Sequence, residues 1–334
     1  MSIKRKAEEE TSISICIPSS VISSKNAYNL EQITNIIYQI AKAATIYKIS
    51  EIIVFKAPKE EEEEEDDNKS KEKSKKIVFE EDDDTNNKSS MNNNTQKEQE
   101  EDNSTLLAAS LLQFFITPPY LVKSMFSPHL NKKFSNILPK FKYAFKLPKI
   151  TTIDMDKNYK EGMIIPRETP LIKKKNKKVK ADHKITVSKY VNIGESEAIK
   201  LDIKREIPIY SRVTVDLKNK TIVSAKKAYG NSGHKNAFGY HVRMIDDGDF
   251  NKVFIQSSIP DGYSNTIYVN CNDYFGNNKI DLPEINEIKG NILVVLGNLK
   301  DYQPDVHQLF DNKLTIPSGC KVEDAVMIAL TKLA

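Results

Sequence analysis

The sequence contains few residues that could hold a metal or a cross-link, and it lacks long apolar runs. Its three cysteines, Cys16, Cys271 and Cys320, include no CxxC pair, which argues against a disulfide framework and against a zinc site. We therefore expect buried thiols in a reducing compartment, and no metal. No run of about 18 apolar residues occurs, so we expect no membrane-spanning helix and no membrane association. The opening MSIKRKAEEE contains no apolar region typical of a secretory signal, which predicts an intracellular protein.

Charge is strongly segregated, although the formal net charge is only +4. Residues 59–103 are dominated by Glu, Asp, Asn and Lys, and such a composition cannot bury enough apolar surface to fold. We predict a disordered acidic insertion here and a disordered N-terminus over residues 1–10. The insertion is interpreted either as a solvated loop or as a docking site for basic proteins such as ribosomal proteins or histones.

The N-terminal part of the sequence has the pattern of a βαβ unit. Isoleucines alternate from Ile13 to Ile17 as in a strand, apolar residues recur every three or four positions from Leu30 to Ala44, and Ser50–Phe55 is a short apolar run. Strand, helix and strand in this order predict an α/β fold with a parallel sheet. After the insertion, a second helix is predicted with Ser104 as its N-cap, ending before Pro118.

A small all-β module is predicted in the middle of the chain. Residues 157–229 contain several short strand patterns separated by polar turns, with a size and strand count that suit an OB-like barrel. The α/β pattern occupies residues 11–58 and 104–156 before this module and residues 230–334 after it. The barrel is therefore predicted to be an insertion within the α/β domain.

Two segments near the C-terminus could carry a ligand site, although neither contains a catalytic base, a nucleophile or a metal cluster. The apolar strand of KGNILVVLGNL runs into Gly297, where a parallel sheet places ligands, yet a glycine there also suits an ordinary turn. There is no GxGxxG fingerprint and no P-loop. In IPSGCKVEDAVMIAL, a small-residue loop precedes a helix whose first-turn Glu323 and Asp324 suit the helix dipole.

Together, YHVRMIDDGDFNKVF, KGNILVVLGNL and IPSGCKVEDAVMIAL, in that order, resemble the last third of the SPOUT superfamily of RNA methyltransferases. The most similar branch is the eukaryotic and archaeal one, which has an OB-like domain inserted between the halves of the methylase. The segments YVNIGESEAIKLDIKREIPIYSRVTVDL and ISICIPSSVI also resemble this branch. Order and spacing carry the resemblance, which covers nearly the whole chain apart from the N-terminus and the acidic insertion.

The resemblance implies an α/β fold whose C-terminal segment forms a trefoil knot and binds S-adenosylmethionine. The implied cofactor-binding residues lie in the loop after the apolar strand and in the knot loop, and they are Leu296, Gly297, Asn298, Ile316, Pro317, Ser318, Gly319 and Cys320. The terminal helix from Lys321 would contact a second copy in a homodimer. By the same resemblance Arg243 is the candidate catalytic residue that orients the base or its phosphate, with a salt bridge to Asp246 or Asp247 as the structural alternative.

A dense basic run supports RNA binding independently of the resemblance, because phosphate contacts supply most sequence-independent affinity. We predict RNA-binding residues at the edge of the inserted module, namely Lys173, Lys174, Lys175, Lys177, Lys178 and Lys180, although a solvated loop would have the same composition. A second candidate patch mixes lysines with aromatic residues between Lys132 and Lys146.

Three functions are compatible with the sequence. The first is an S-adenosylmethionine-dependent methyltransferase acting on ribosomal or pre-ribosomal RNA, and the second is a catalytically inactive RNA-binding factor in ribosome assembly. The third is an acidic chaperone for basic proteins. The knot loop is shorter than in the branch, lacks its Gln and has Lys321 in place of Arg, which favours the second. We expect a nuclear protein, in particular a nucleolar one, with the cytoplasm as the alternative.

Overall fold

A computed structural model of the chain describes residues 11–58, 93–148, 150, 158–166, 171–174, 177–180, 186–224, 227–228, 239–257, 259, 261–274 and 280–334. The predicted disordered N-terminus and residues 59–92 of the predicted acidic insertion lie outside this part of the chain.

The described elements follow one another in the order of an α/β chain interrupted by short strands. The strands are β1 (Ser12–Pro18), β2 (Glu51–Phe55), β3 (Tyr159–Ile164), β4 (Leu171–Lys174), β5 (Lys177–Lys180), β6 (Val187–Ser188), β7 (Tyr190–Asn192), β8 (Ile199–Lys200), β9 (Ile207–Pro208), β10 (Arg212–Asp216), β11 (Thr221–Val223), β12 (His241–Ile245), β13 (Asn265–Asn270), β14 (Asn291–Gly297) and β15 (Asn312–Lys313). The α-helices are α1 (Leu30–Ile46), α2 (Asn93–Phe115), α3 (Val122–Met125), α4 (Phe134–Ile137), α5 (Asn251–Ile255) and α6 (Val322–Leu333).

Six strands form a parallel sheet in the order β12-β2-β1-β14-β13-β15. The predicted βαβ unit is confirmed, because β1 and β2 are parallel neighbours joined through α1. Every residue of β2 is buried, as expected for a parallel strand covered on both faces. The predicted parallel sheet and α/β class are therefore correct.

Each face of this sheet has its own apolar core. On one face, Ile15, Ile52 and Val294 pack with α1, α2 and α6. On the other face, Cys16 and Ile53 pack with α5 and with the short 3-10 helices that follow β14. All strands run in one direction, so their carboxyl ends meet at a single edge, where ligands of such sheets bind.

Helix α2 begins earlier than predicted. It spans Asn93–Phe115, so the predicted N-cap at Ser104 is wrong, and residues 93–103 of the predicted disordered insertion are helical. The apolar face that marked the helix in the sequence starts only after Ser104. Residues 96–101 nevertheless read QKEQEE, which are good helix formers that can extend a helix beyond its packed part.

A separate antiparallel sheet has the strand order β11-β10-β3-β7-β8, within the segment predicted as an all-β module. It is held against the chain that follows α2. The Tyr120 hydroxyl donates to the Glu161 carbonyl at 3.0 Å, and Asn192 Nδ2 donates to Ser124 Oγ at 2.8 Å. Arg212, which forms an ion pair with the buried Glu161 within the sheet, also donates from its Nη2 to the Ile116 carbonyl at 3.0 Å. These contacts fix the position of the antiparallel sheet relative to the segment after α2.

Among the helices of the described residues, none combines the length and apolar character needed to cross a membrane.

Candidate functional site

The carboxyl ends of β13 and β14 lie side by side, because Asn270 is paired with Gly297. The turn that follows β13 contacts both neighbouring loops. The Cys271 amide donates to the Gly297 carbonyl at 3.3 Å, and the Asn272 amide donates to the Cys320 carbonyl at 2.8 Å. The two segments implied for S-adenosylmethionine are thereby joined through one turn at the carboxyl edge of the sheet.

Gly297 is explained by the protein's own packing. Its φ of +148° lies in a region that L side chains rarely adopt. A Cβ atom at this position would lie 3.1 Å from the side chains of Pro18, Asp301 and Tyr302. The internal packing therefore explains the glycine at this position without a ligand. Evidence for a ligand site comes from the neighbouring residues.

The loop after β14 is held mainly by its own hydrogen bonds. The buried Leu296 accepts a 2.6 Å hydrogen bond from the Tyr302 hydroxyl at its carbonyl. Asn298 Oδ1 accepts from the Lys300 amide at 3.0 Å, and the Asn298 amide donates to Asp301 Oδ2 at 2.8 Å. Asn298 therefore caps the short 3-10 helix that follows, and its side chain stabilises the loop.

The predicted knot loop is anchored at both ends. Ile316 and Cys320 are half-buried and pack against the apolar core, whereas Pro317 and Ser318 are exposed. Gly319 has a φ of +77°, a left-handed conformation that glycine adopts without strain. The loop thus presents its middle residues, and their backbone groups, to the surface at the carboxyl edge.

Two residues of the turn after β13 belong to this site and were missed in the sequence analysis. Asn272 Oδ1 is buried and has no hydrogen-bond partner within the described part of the chain. Tyr274 is 57% exposed, and its ring lies 3.6 Å from where a Cβ on Gly319 would be. The alternating NTIYVN run of β13 was an available strand signal, and it would have placed this turn at the carboxyl edge.

Several carboxylates act on the buried turn after β13. Burial raises the pKa of the Cys271 thiol, and the carboxylates of Asp301 and Glu323 raise it further. Burial also raises the pKa of the Tyr268 hydroxyl, with Asp301 and Asp273 among the contributing charges. Because three carboxylates act on the buried turn, a cationic ligand group is favoured at this edge.

Arg243 lies elsewhere. Its Nε donates to Glu51 Oε1 at 3.0 Å and its Nη2 donates to Glu51 Oε2 at 3.2 Å. The guanidinium also donates to the carbonyls of Lys252 and Val253 and to the Tyr263 hydroxyl. Glu51 is the first residue of β2, whereas Arg243 is the middle residue of β12, which is three strands away from β14. These contacts are those of a structural ion pair, and none of them is to the implied cofactor loops, so a catalytic role for Arg243 stays a prediction.

Asp246 and Asp247, the alternative partners for Arg243, directly follow β12. Asp247 forms an ion pair with Lys252, and its Oδ1 accepts from the Asp249 amide at 3.2 Å. No three His, Cys, Asp or Glu side chains in the described ranges are arranged to share a metal ion.

The basic run lies on a hairpin. Strands β4 and β5 pair antiparallel, with Lys174 opposite Lys177 at the turn. The described lysines of the run all lie on these two strands: Lys173, Lys174, Lys177, Lys178 and Lys180. Lys175 lies outside the described residues. The described part of the run therefore lies on one short two-stranded element.

The second basic segment, residues 132–146, carries exposed lysines next to aromatic rings. The ammonium groups of Lys142 and Lys146 lie 4.9 and 5.3 Å from the centroid of the Tyr143 ring. Phe145 is 58% exposed. Positive charge beside accessible rings is an arrangement suited to single-stranded nucleic acid.

Helix α6 packs on its own chain through the apolar face that the sequence indicated. The buried residues of this face are Val322, Ala325, Val326, Ala329, Leu330 and Leu333. They join the core formed with α1, and the Tyr47 and Thr331 hydroxyls share a 2.7 Å hydrogen bond. A dimer contact through α6 would therefore use its opposite face, which includes Asp324 and Lys332.

The fold and site define a class of protein: a parallel α/β domain in which loops at the carboxyl edge converge next to a buried acceptor, Asn272 Oδ1, that has no partner within the described residues. The chain belongs to the family described as "Putative RNA methyltransferase", whose model matches residues 12–333. The resemblance to RNA methyltransferases drawn from the C-terminal segments is thus confirmed at the level of the family.

Two proteins of Saccharomyces cerevisiae are similar over nearly the same length. "Putative methyltransferase YMR310C" is 27% identical over an alignment of 359 positions, which covers 99% of this chain and 96% of the yeast protein. "Putative methyltransferase YGR283C" is 28% identical over an alignment of 349 positions, which covers 95% of this chain and 86% of that protein.

Proposed function

We propose that this protein is an S-adenosylmethionine-dependent RNA methyltransferase of the SPOUT type. The observation that carries the proposal is the convergence of the two implied cofactor loops on the turn after β13, where Asn272 Oδ1 is buried without a partner in the described residues. A buried unpaired acceptor costs about 1–3 kcal/mol, so a ligand that donates a hydrogen bond there would remove a real penalty.

The chemistry of this edge fits the cofactor. S-adenosylmethionine supplies an electrophilic methyl group from a sulfonium centre, so its transfer depends on proximity and alignment more than on an acid or base. Asn272 would accept from a ligand N–H or O–H group. The carboxylates of Asp273, Asp301 and Glu323 favour its cationic groups. The exposed ring of Tyr274 offers an apolar surface beside the knot loop.

We propose that residues 316–320 thread as the trefoil knot of this superfamily. Support comes from the course of the chain: it leaves β15 at the sheet edge, contacts the turn after β13 through Cys320, and then enters α6 on the α1 face. Knots are rare exceptions in protein folds, which makes this threading a specific expectation.

We propose further that the antiparallel sheet of the inserted module closes as an OB-like barrel. Its edge strands are β11 and β8. The Asp202 amide, just after β8, donates to the Lys220 carbonyl, just before β11, at 2.7 Å. A contact between the two edges is what closure of a sheet into a barrel requires.

The substrate that fits the charge distribution is RNA, and we infer ribosomal or pre-ribosomal RNA in the nucleolus. The lysine hairpin β4–β5 and the basic aromatic segment 132–146 are the proposed contacts for its phosphates and bases. We also propose that the protein forms a homodimer through the outer face of α6. The acidic insertion is proposed to bind basic proteins.

Isothermal titration of the full chain with S-adenosylmethionine tests the function directly. Saturable binding, followed by transfer of a labelled methyl group to ribosomal RNA, is the expected result. Absence of detectable binding at millimolar cofactor would exclude S-adenosylmethionine-dependent methyltransferase activity.

A second function is favoured by one feature of the knot loop. Between Pro317 and Lys321 it offers only three residues, without the Gln and Arg that the resembled branch has. A shorter loop supplies fewer backbone donors, and a protein that has lost cofactor binding would act as an RNA-binding assembly factor. RNA binding without cofactor binding is the result that would distinguish this alternative.

A further inference from the structure

A second concave site lies at the same sheet edge, beyond the ends of β2 and β12. It is a cavity of about 380 Å³, within the range of about 300–1,000 Å³ typical of small-molecule sites. Lys56 directly follows β2 and Asp246 directly follows β12, and both line the cavity. None of the residues implied for S-adenosylmethionine is among its lining residues.

A buried hydroxyl without a partner lines this cavity. Thr105 of α2 is only 1% exposed, and its Oγ1 has no hydrogen-bond partner within the described residues. Other helical threonines satisfy this group locally, since Thr34 donates to the Leu30 carbonyl at 2.7 Å and Thr331 donates to the Met327 carbonyl at 2.7 Å. Thr105 therefore has a hydroxyl without a partner among the described residues, on a side chain that lines the cavity.

The remaining walls combine ammonium groups, carboxylates and an apolar surface. Lys56 and Lys133 bring two ammonium groups to the cavity, and Asp246 and Asp247 bring two carboxylates, of which Asp247 is paired with Lys252. Met244 and Leu106 supply the apolar part. This combination matches a nucleotide: cations suit its phosphate, an apolar surface suits the face of its base, and acceptors suit the amino groups on the base edge.

We propose that this cavity binds one nucleotide of the RNA substrate, with the phosphate at Lys56 and Lys133 and the base between Met244 and the hydroxyl of Thr105. The proposal rests on the proposed function, whose substrate site it would locate. Strands β2 and β12 are two and three strands away from β14, which places them about 10 to 14 Å from that strand at a spacing of about 4.8 Å per strand. Lys133 also belongs to the basic segment 132–146, so this segment reaches the cavity.

Ligand-observed NMR on the full chain tests this site, with each of the four ribonucleoside 5′-monophosphates and with inorganic phosphate as separate probes. At least one nucleotide should bind and should be displaced by a short single-stranded RNA. Thr105→Val should weaken that binding about three- to tenfold, and Lys133→Gln about tenfold, because each removes one hydrogen-bonding group. Two control variants change residues of α1 that do not line the cavity: the buried Thr34→Val and the exposed Lys42→Gln. Both should leave nucleotide binding unchanged.

Two further readouts separate this proposal from the proposed function and from misfolding. The Thr105→Val protein should keep the wild-type unfolding midpoint, since the substitution removes no hydrogen bond, and both cavity variants should keep the wild-type affinity for S-adenosylmethionine. Nucleotide binding without cofactor binding would refute the proposed methyltransferase activity but not the proposed nucleotide site. Binding of inorganic phosphate alone, or nucleotide binding unchanged in both cavity variants, would overturn the nucleotide site.

Discussion

Arg243 and Glu51 form a buried ion pair that ties β12 to β2. The guanidinium is 10% exposed and the carboxylate 1% exposed, and two hydrogen bonds join them. Tyr263 completes the network by donating to Glu51 Oε2 at 2.9 Å. The pair lies on β2 and β12, which are two and three strands away from β14 in the sheet, and we expect it to affect stability first and activity only through stability.

Replacement of Arg243 should therefore destabilise the protein. Arg243→Met would remove the guanidinium that pairs with the buried Glu51, and loss of one member of a buried ion pair typically costs about 3–5 kcal/mol. The double variant with Glu51→Gln should recover much of that stability, because no uncompensated charge remains. Urea unfolding of the single and double variants measures both effects. Unchanged stability combined with an absence of methyl transfer would instead support the catalytic role that the resemblance implied for Arg243.

Asn272 is the residue on which the cofactor site depends most. Its φ of +57° is tolerated by glycine, so Asn272→Gly should retain the unfolding midpoint. It should weaken binding of S-adenosylmethionine about three- to tenfold, because the variant cannot form one hydrogen bond to the ligand. Isothermal titration measures this change. Lys220→Gly is the matched control, since Lys220 also has a positive φ but lies in the turn between β10 and β11. An equal effect of both variants would contradict the assignment.

The central part of the fold was predictable because its signals are local. The alternation in β1, the helical spacing in α1 and the apolar run of β2 each lie within a few residues, and their order implies a parallel sheet. The start of α2 was misplaced because helix formers extend it beyond its packed face.

The partners within the sites were not predictable from local pattern. Arg243 and Glu51 are 192 positions apart, and the nearer Asp246 and Asp247 were the natural candidates from the sequence. The importance of Asn272 depends on β13 lying beside β14, which only strand pairing establishes. Thr105 is an ordinary helical residue in the sequence, and its unpaired hydroxyl is a property of the packed structure alone.

RNA affinity should depend on salt through the lysine hairpin. Replacing the six lysines of the run, Lys173, Lys174, Lys175, Lys177, Lys178 and Lys180, with Gln should weaken binding of single-stranded RNA. The slope of log affinity against log salt should also decrease, by about 0.7 for each phosphate that the variant no longer neutralises. Fluorescence anisotropy at several salt concentrations measures the slope. Lys142→Gln with Lys146→Gln provides the comparison for the aromatic segment, and an unchanged slope for the hairpin variant would show that its charge is only solvated.

Glu323 should make stability depend on pH. Burial raises the pKa of its carboxyl above the usual value of 4.5, and the neighbouring Asp324 adds to the rise. Because the folded pKa is raised, the protonated form is favoured in the fold, and this contribution is lost as pH rises through the folded pKa. Glu323→Gln should therefore raise the unfolding midpoint relative to the wild type at pH 7, and the difference should shrink as the pH falls to about 4.

Thermal unfolding of both proteins between pH 4 and 8 measures this difference, and Asp324→Gln at the adjacent, exposed position is the control. The helix dipole opposes the effect, since a carboxylate in the first turn of α6 is favourable there. Ionised Glu323 also contributes to the negative potential around Cys271, so Glu323→Gln should weaken S-adenosylmethionine binding while it stabilises the fold. A variant that is less stable at pH 7, by an amount independent of pH, would show that the dipole outweighs the cost of burial.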